Sequence, residues 1–145
     1  MSIHSGKNRL FLYNFSKDSV TSKALFAHES CDNLPGVDYS DIEPKFSNIP
    51  ETHCSSLGKY KIGKRGSSNW GVHFNYKLHG LKSTNNNAYA RTIVLHSWEM
   101  MTDKESYSET TPYSWGCPMV SDKQMRALDK QLKTTEKPAL LWIYK

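Results

Sequence analysis

A run of apolar and β-branched residues at positions 90–95, Ala-Arg-Thr-Ile-Val-Leu, constrains the fold more than any other segment. β-branched side chains favour strands, and a mostly apolar run without regular alternation is typical of a strand that is covered on both faces. We therefore expect a central buried strand here. It would end at His96 and present the imidazole of that residue at a sheet edge.

Five further segments predict strands. The first two form an N-terminal hairpin around a polar turn, and the next two form a second pair, joined by the Gly- and Ser-containing residues 64–69. The last would close the chain as a buried strand. The predicted strands span residues 9–14, 20–27, 57–63, 70–78 and 139–144.

One helix is predicted, at about residues 121–133, where Ser121 or Asp122 can cap apolar residues at helical spacing. Residues 31–50 are rich in Asn, Asp, Pro and Gly, which predicts a long irregular loop. A second long loop lies between His96 and Cys117. Its apolar side chains either cover a cleft or pack back on the core. The fold class is thus mainly β, with residues 1–145 forming a single domain.

The chain carries a net charge of +5 and a pI near 9.1, so its surface suits an anionic partner or simply confers solubility. No dense Lys/Arg run of the nucleic-acid-binding type occurs, and no window reaches the roughly 20 apolar residues of a membrane span. No signal peptide is visible either. We expect neither nucleic acid nor a membrane span. The compartment stays open between the cytoplasm, an unconventional export route and a trimmed mature form.

Three cysteines are present, so they cannot all pair within one chain. Cys31 and Cys54 could form a disulfide or remain two structural thiols. No Cys or His cluster has the spacing of zinc ligands, so we expect no metal and no cofactor.

The sharpest chemical feature is the segment 114–118, Ser-Trp-Gly-Cys-Pro. A nucleophilic cysteine needs a base, nearby amide N–H groups and steric access. Gly116 permits a tight turn before Cys117, and Pro118 restricts the backbone after it. His96 could supply the base, because a neighbouring imidazole stabilises the thiolate. The alternatives are a buried structural cysteine at a turn and a satisfied core histidine.

These residues resemble the YkuD-type L,D-transpeptidase family, closest to its murein L,D-transpeptidase catalytic domain branch. The resemblance runs from about Arg9 to Tyr144 and implies a β-sandwich or barrel catalytic domain. Four ordered segments and the C-terminal end carry it: residues 45–50, 55–60, 87–96, 114–118 and 140–144.

The resemblance implies a cysteine acyltransferase that acts on peptidoglycan stem peptides in the cell envelope, the periplasm or the extracellular space. Cys117 would form a thioester and His96 would be the general base, with the Ser97 carbonyl orienting its ring. The backbone amides of Trp115, Gly116 and Cys117 would form the oxyanion hole. Carbapenem-type inhibitors could acylate the same thiol.

Many relatives read Ser-His-Gly-Cys followed by a basic or polar residue, whereas this chain has Trp115, Pro118 and Met119. The ligand for the substrate carboxylate is therefore unassigned. The candidate substrate-binding residues are Ser114, Arg91, His53 and Ser56, although Arg91 could equally be structural and His53 an exposed bystander. Two alternative functions remain: an L,D-carboxypeptidase or endopeptidase, for example a delivered antibacterial effector, and a non-catalytic wall-binding module.

Overall fold

The computed structural model describes residues 3–27, 31 and 45–145. Within these residues the fold has seven strands and one helix, which confirms the mainly β prediction. In chain order the elements are β1 (Leu10–Asn14), β2 (Ser19–Ala24), β3 (Gly58–Ser67), β4 (Phe74–Gly80), β5 (Val94–Ser97), β6 (Met119–Val120), α1 (Asp122–Thr134) and β7 (Leu140–Ile143).

The predicted N-terminal hairpin is confirmed: β1 and β2 pair antiparallel, with Leu10 opposite Ala24. The second strand is shorter than predicted, because the chain leaves the hairpin after Ala24. Ala27 instead bridges to Met119 through two backbone hydrogen bonds of 2.8 and 3.1 Å. The hairpin is thereby tied to β6.

The main sheet has five strands in the order β6-β5-β4-β3-β7. All neighbours are antiparallel except β5 and β6, which pair in parallel with His96 opposite Met119. Strand β6 was not predicted, because two residues are too short for a pattern. Its pairing nevertheless brings the segment after Cys117 alongside the strand that carries His96.

The two faces of this sheet differ, as the alternation of side chains along a strand requires. The core face carries buried residues such as Tyr76 and its register partner Leu95, at 5% and 2% exposure. Helix α1 covers this face with Met125 and Leu128. Lys77, its partner Val94 and His96 alternate with the core positions and therefore lie on the outer face.

The predicted helix is confirmed. Ser121 caps it, because its hydroxyl accepts a 3.1 Å hydrogen bond from the Gln124 N–H. The side chains of Met125, Leu128 and Asp129 form its buried face.

The predicted connection at residues 64–69 is wrong in its extent. Strand β3 continues to Ser67 through a bulge between Ile62 and Arg65, and the turn follows at residues 68–73. There His73 N–H donates to the Trp70 carbonyl at 3.0 Å, with Gly71 and His73 at positive φ. Exposed basic and small residues can occupy a bulged strand, so their composition alone did not reveal it.

The central strand is buried on one face only, and it is shifted along the sequence. Residues 90–92 form a turn, in which Arg91 N–H donates to the Asn87 carbonyl at 2.8 Å and Thr92 has a φ of +55°. The strand therefore begins at Val94 rather than at residue 90, and it ends at Ser97, one residue after the predicted end at His96. Similarly, β7 is an edge strand whose Leu140 and Trp142 are exposed, not a fully buried strand.

The two long loops are seen in part. Residues 32–44 of the predicted 31–50 loop lie outside the described residues. In the 97–116 segment, Met101 is buried in a small cluster with Leu25 and Met119, whereas Met100 and Tyr107 are exposed. The apolar residues of this loop therefore include both core-packing and exposed positions. Within the described residues, no helix is long and apolar enough to cross a membrane.

Candidate active site

The turn that carries Cys117 is held through its carbonyl groups. Gly116 is buried and has a φ of +95°, a conformation that L side chains rarely adopt. Ser114 Oγ donates a short hydrogen bond to the Cys117 carbonyl, and Ser55 Oγ donates one of 3.3 Å to the Gly116 carbonyl. Among the described residues, none accepts a hydrogen bond from the Gly116 N–H. Within the described part of the chain, that donor is available to a ligand.

The Cys117 thiol lies against the beginning of β5. Its Sγ is 3.5 Å from the Val94 backbone nitrogen and 4.0 Å from the Thr92 carbonyl oxygen. The residue is half-buried and is not part of a disulfide. A backbone N–H directed at sulfur favours the thiolate over the thiol, because it supplies a partial positive charge.

His96 is oriented by its own strand. Its Nδ1 lies 3.0 Å from the Ser97 carbonyl oxygen. A carbonyl can only accept, so this contact requires the proton on Nδ1 and leaves a lone pair on Nε2. No described residue forms a hydrogen bond with Nε2. The ring nitrogen that could remove a proton is thus uncommitted.

The backbone links His96 to the cysteine turn. Its N–H donates to the Pro118 carbonyl at 3.2 Å, and Pro118 directly follows Cys117. Burial lowers the pKa of His96 below its ordinary value of 6.5, and the bond to the Ser97 carbonyl opposes this only in part. The imidazole is therefore neutral near pH 7 and able to act as a base.

Cys31 and Cys54 form a disulfide, which decides between the two alternatives left by the sequence. Cys54 lies next to the turn that carries Cys117: its carbonyl oxygen is 3.3 Å from the position that a Cβ on Gly116 would occupy. The disulfide therefore anchors the segment that packs directly against the Gly116–Cys117 backbone.

Arg91 binds the same segment with its guanidinium group. One terminal nitrogen donates to the Cys54 carbonyl at 2.6 Å, and the other to the Ser47 carbonyl at 3.0 Å and to Ser56 Oγ at 2.9 Å. Ser56 is buried, and its hydroxyl also donates to the Ser47 carbonyl at 2.8 Å. In this structure Arg91 and Ser56 therefore hold the chain itself together beside the turn.

An aromatic pair forms the exposed rim of the site. The rings of His53 and Trp115 lie 5.0 Å apart, and Trp115 is 71% exposed. The backbone of His53 passes 3.6 Å from the Cβ position of Gly116. The candidate His53 is thus adjacent to the turn that carries Cys117.

The sequence-predicted site residues gather in this one region. Two contributors were missed, Ser55 and the backbone of Val94. Ser55 falls in a segment that the family resemblance had marked, while a backbone contact leaves no signal in residue identity. In the described part of the chain, no group of three His, Cys, Asp or Glu side chains could hold a metal ion. The structure places Ser114, Trp115 and Gly116 in the turn of Cys117, with Arg91, His53 and Ser56 packed at the segment beside it, and it links His96 and Ser97 to the turn through the backbone of β5.

Comparison with known protein families identifies the family of the chain as a whole. Residues 1–144 match the family model described as the L,D-transpeptidase catalytic domain, of the YkuD type. No curated protein and no solved structure matches the chain significantly. The family match covers nearly the whole sequence, and the curled five-stranded sheet with one helix agrees with it. The chain belongs to the L,D-transpeptidase catalytic domain family.

Proposed function

We propose that the protein is a peptidoglycan L,D-transpeptidase that works through a thioester on Cys117. The observation that carries the proposal is the contact of His96 Nδ1 with the Ser97 carbonyl, which leaves Nε2 as a base on the strand whose beginning contacts the thiol. Family membership supports the substrate class, because domains of this family act on peptidoglycan.

In the first half-reaction, His96 Nε2 takes the proton of the Cys117 thiol. The sulfur attacks the carbonyl of an L-residue in a stem peptide, and the bond to the terminal D-amino acid breaks. The imidazolium returns its proton to the leaving amine. The N–H of Gly116, which has no described acceptor, and the neighbouring amides of Trp115 and Cys117 would stabilise the oxyanion.

In the second half-reaction, an amine of a neighbouring stem attacks the thioester, and Cys117 leaves as the thiolate. His96 takes a proton from the incoming amine. The result is a cross-link between two stems. If water takes the place of the amine, the enzyme is instead an L,D-carboxypeptidase or endopeptidase.

The Cys31–Cys54 disulfide supports a location in the cell envelope or outside the cell. Disulfides persist in the periplasm and in extracellular environments, and they are rare in reducing cytosol. We therefore propose that the protein acts where it can meet peptidoglycan directly. Fractionation with thiol labelling tests this proposal: a reduced Cys31–Cys54 pair in the active protein from its native cells would contradict it.

Purified tetrapeptide muropeptides and mass analysis of the products test the function. We expect the wild-type protein to release a D-amino acid and to form a 3-3 dimer. Cys117→Ala should abolish both, and Met100→Ala, at an exposed residue of the 97–116 loop, should abolish neither. Release of the D-amino acid with water added, and no dimer, would assign hydrolysis instead of transfer. Full activity in Cys117→Ala would exclude the cysteine mechanism.

A further inference from the structure

A cleft of about 600 Å³ lies apart from the cysteine turn. It forms where the bulged part of β3 meets β4, the end of α1 and the segment before β7. None of the site residues Cys117, His96, Arg91 or Trp115 lines it. The cleft is therefore a second concave surface that the proposed reaction does not use.

The cleft is basic. Four lysines line it, Lys61, Lys64, Lys77 and Lys137, against one acidic residue, Glu136. Within the part of the chain that the structure describes, none of these lysines forms an ion pair. Unneutralised positive charge in a concavity attracts anions, because the protein walls screen it less than bulk water does.

One wall of the cleft is a stacked pair of rings. His79 and Tyr89 lie 4.7 Å apart with an interplanar angle of 15°, and Tyr89 is 58% exposed. The chain makes room for this pair at Gly63, where an added Cβ would come within 2.5 Å of His79 Nε2. An exposed, supported aromatic face offers a flat apolar surface for the C–H face of a sugar ring.

Beyond the cleft, the same face of the sheet again carries lysines beside aromatic rings. On β3, Lys61 sits in register between His79 of β4 and Leu140 of β7. Two residues earlier, the Lys59 ammonium lies 4.8 Å from the centre of the exposed Trp142 ring. Lysines and exposed rings thus alternate across the outer face, a combination that suits a ligand with both charged groups and apolar ring faces.

The same face of the sheet extends from the cleft to β5, the strand that contacts Cys117. Lys77 lines the cleft, and its register partner is Val94, whose backbone nitrogen contacts Cys117 Sγ. Paired residues on neighbouring strands point to the same side of a sheet. The Lys77 wall of the cleft and Val94 therefore lie on the outer face of adjacent strands, and Val94 is the residue whose backbone contacts the thiol.

We propose that this cleft binds an acidic polysaccharide, with a sugar ring against Tyr89 and a carboxylate or phosphate between Lys61 and Lys77. The site goes beyond the proposed function, because the binding requires neither the thiol nor His96. On this account the protein holds a polymer of the cell wall or cell surface while its cysteine acts nearby.

Binding is measured in the Cys117→Ala background by calorimetry, so that a failed reaction mechanism cannot affect the result. The probes are oligogalacturonate for the carboxylate source and a sugar-phosphodiester oligomer for the phosphate source. Neutral chitohexaose and hexaglutamate control for sugar without charge and charge without sugar. We expect at least one acidic sugar to bind more tightly than both controls, and the tighter of the two to identify the anionic group.

The variant pair Lys61→Gln/Lys77→Gln should weaken this binding about tenfold, the effect of losing two partly solvated charge contacts. Tyr89→Ala should weaken binding of the acidic sugar as well. The matched pair Lys17→Gln/Lys123→Gln removes two exposed lysines elsewhere and should leave the affinity within twofold. Thermal melts verify that each variant is folded.

Three results would overturn the proposal. One is that neither acidic sugar binds better than chitohexaose. Another is that hexaglutamate binds equally well, which would make the surface a general polyanion site. The third is that the Lys17→Gln/Lys123→Gln variant weakens binding as much as the Lys61→Gln/Lys77→Gln variant. The binding would then depend on the net charge of the protein and not on the cleft.

Discussion

Ser55 Oγ donates a 3.3 Å hydrogen bond to the carbonyl oxygen of Gly116, and this bond joins the disulfide-anchored segment to the turn that carries Cys117. The next carbonyl, that of Cys117, accepts from Ser114 Oγ. Because the carbonyl oxygens of Gly116 and Cys117 both accept hydrogen bonds from side chains, the orientation of these two peptide planes is fixed. The first of these planes carries the Cys117 N–H and gives it a defined direction, which an oxyanion hole requires. The second plane leads into Pro118 and has no N–H.

Gly116→Ala tests the backbone of this turn. Alanine at a φ of +95° is strained by about 1–2 kcal/mol, and its Cβ would lie 3.3 Å from the Cys54 carbonyl oxygen. We expect a lower free energy of unfolding in denaturant melts and a loss of turnover. Gly66→Ala is the control, since its Cβ would make a similarly close contact, 3.1 Å to Asn75 Oδ1, in a strand and without a positive φ. Equal effects of the two changes would contradict a special role of the turn.

Arg91→Lys tests the guanidinium bridge. The change keeps the charge, but an ammonium group cannot reach the carbonyls of Cys54 and Ser47 in the forked geometry of arginine. We expect the free energy of unfolding to fall by about 1–3 kcal/mol, from the lost hydrogen bonds to these buried and partly buried acceptors. Arg126→Lys, at an exposed position of α1, is the matched control. Unchanged stability together with a raised KM would instead indicate that Arg91 binds substrate.

The pH dependence of kcat/KM tests His96. Burial lowers the pKa of this imidazole below 6.5, so the ring stays neutral, and competent as a base, at pH values where an exposed histidine is protonated. We expect the acid limb of the profile to lie below pH 6.5. His96→Gln should remove that limb and reduce the rate about 100- to 10,000-fold, the usual contribution of a general base. An acid limb above pH 6.5 would contradict the depressed pKa.

Asp129→Asn tests the polar cluster beneath the basic cleft. Asp129 accepts from Tyr76 Oη at 2.7 Å and pairs with Arg65 at 3.0 Å and with Lys133 at 2.7 Å. Burial alone would raise its pKa, but the hydrogen bonds and positive charges outweigh that effect, and the pKa lies below 3.8. The carboxylate therefore stabilises the fold above pH 3.8, and this contribution is lost as the pH falls through the lower native pKa.

We accordingly expect Asp129→Asn to be less stable than the wild type at pH 7, by about 1–3 kcal/mol, with a smaller further loss below pH 4. Burial, and then the bond to Asp129, raises the pKa of Tyr76 to about 12, so the variant should also titrate this phenol at lower pH by ultraviolet absorbance. Glu136→Gln, at an exposed acid nearby, should change neither property. Parallel pH–stability curves for wild type and Asp129→Asn would show that the carboxylate is not the group responsible.

Local patterns in the sequence predicted those elements whose stability is local. The hairpin and the capped helix follow from alternation, turn residues and the Ser121 cap, and both are present. Strand ends were less accurate, because long-range pairing sets them: the bulge in β3 and the turn at residues 90–92 depend on neighbouring strands and on the Asn87 and Ala88 carbonyls. The pairing of β6 is entirely a tertiary effect.

In the candidate site, too, local sequence predicts some features, whereas others depend on long-range contacts. Cys117, Gly116 and His96 have chemistry that residue type and spacing can suggest, and the family resemblance added their roles. The network that positions them consists largely of the backbone carbonyls of Cys54, Ser47 and Ser97. Because every residue has a backbone carbonyl, residue identity cannot indicate which carbonyls form these hydrogen bonds. Likewise, the sequence makes Arg91 a candidate substrate ligand, and only its hydrogen bonds show that it holds the segment of Ser47 and Cys54.

In the proposed mechanism, Cys117 carries the acyl group. Brief incubation with a stem tetrapeptide, acid quench and intact-mass analysis, followed by peptide mapping, measures it directly. We predict a tripeptide acyl adduct on the peptide that contains Cys117, removable by neutral hydroxylamine as a thioester must be, and absent from Cys117→Ala. Turnover of the tetrapeptide with no adduct on Cys117, or with an adduct on another residue, would contradict the account.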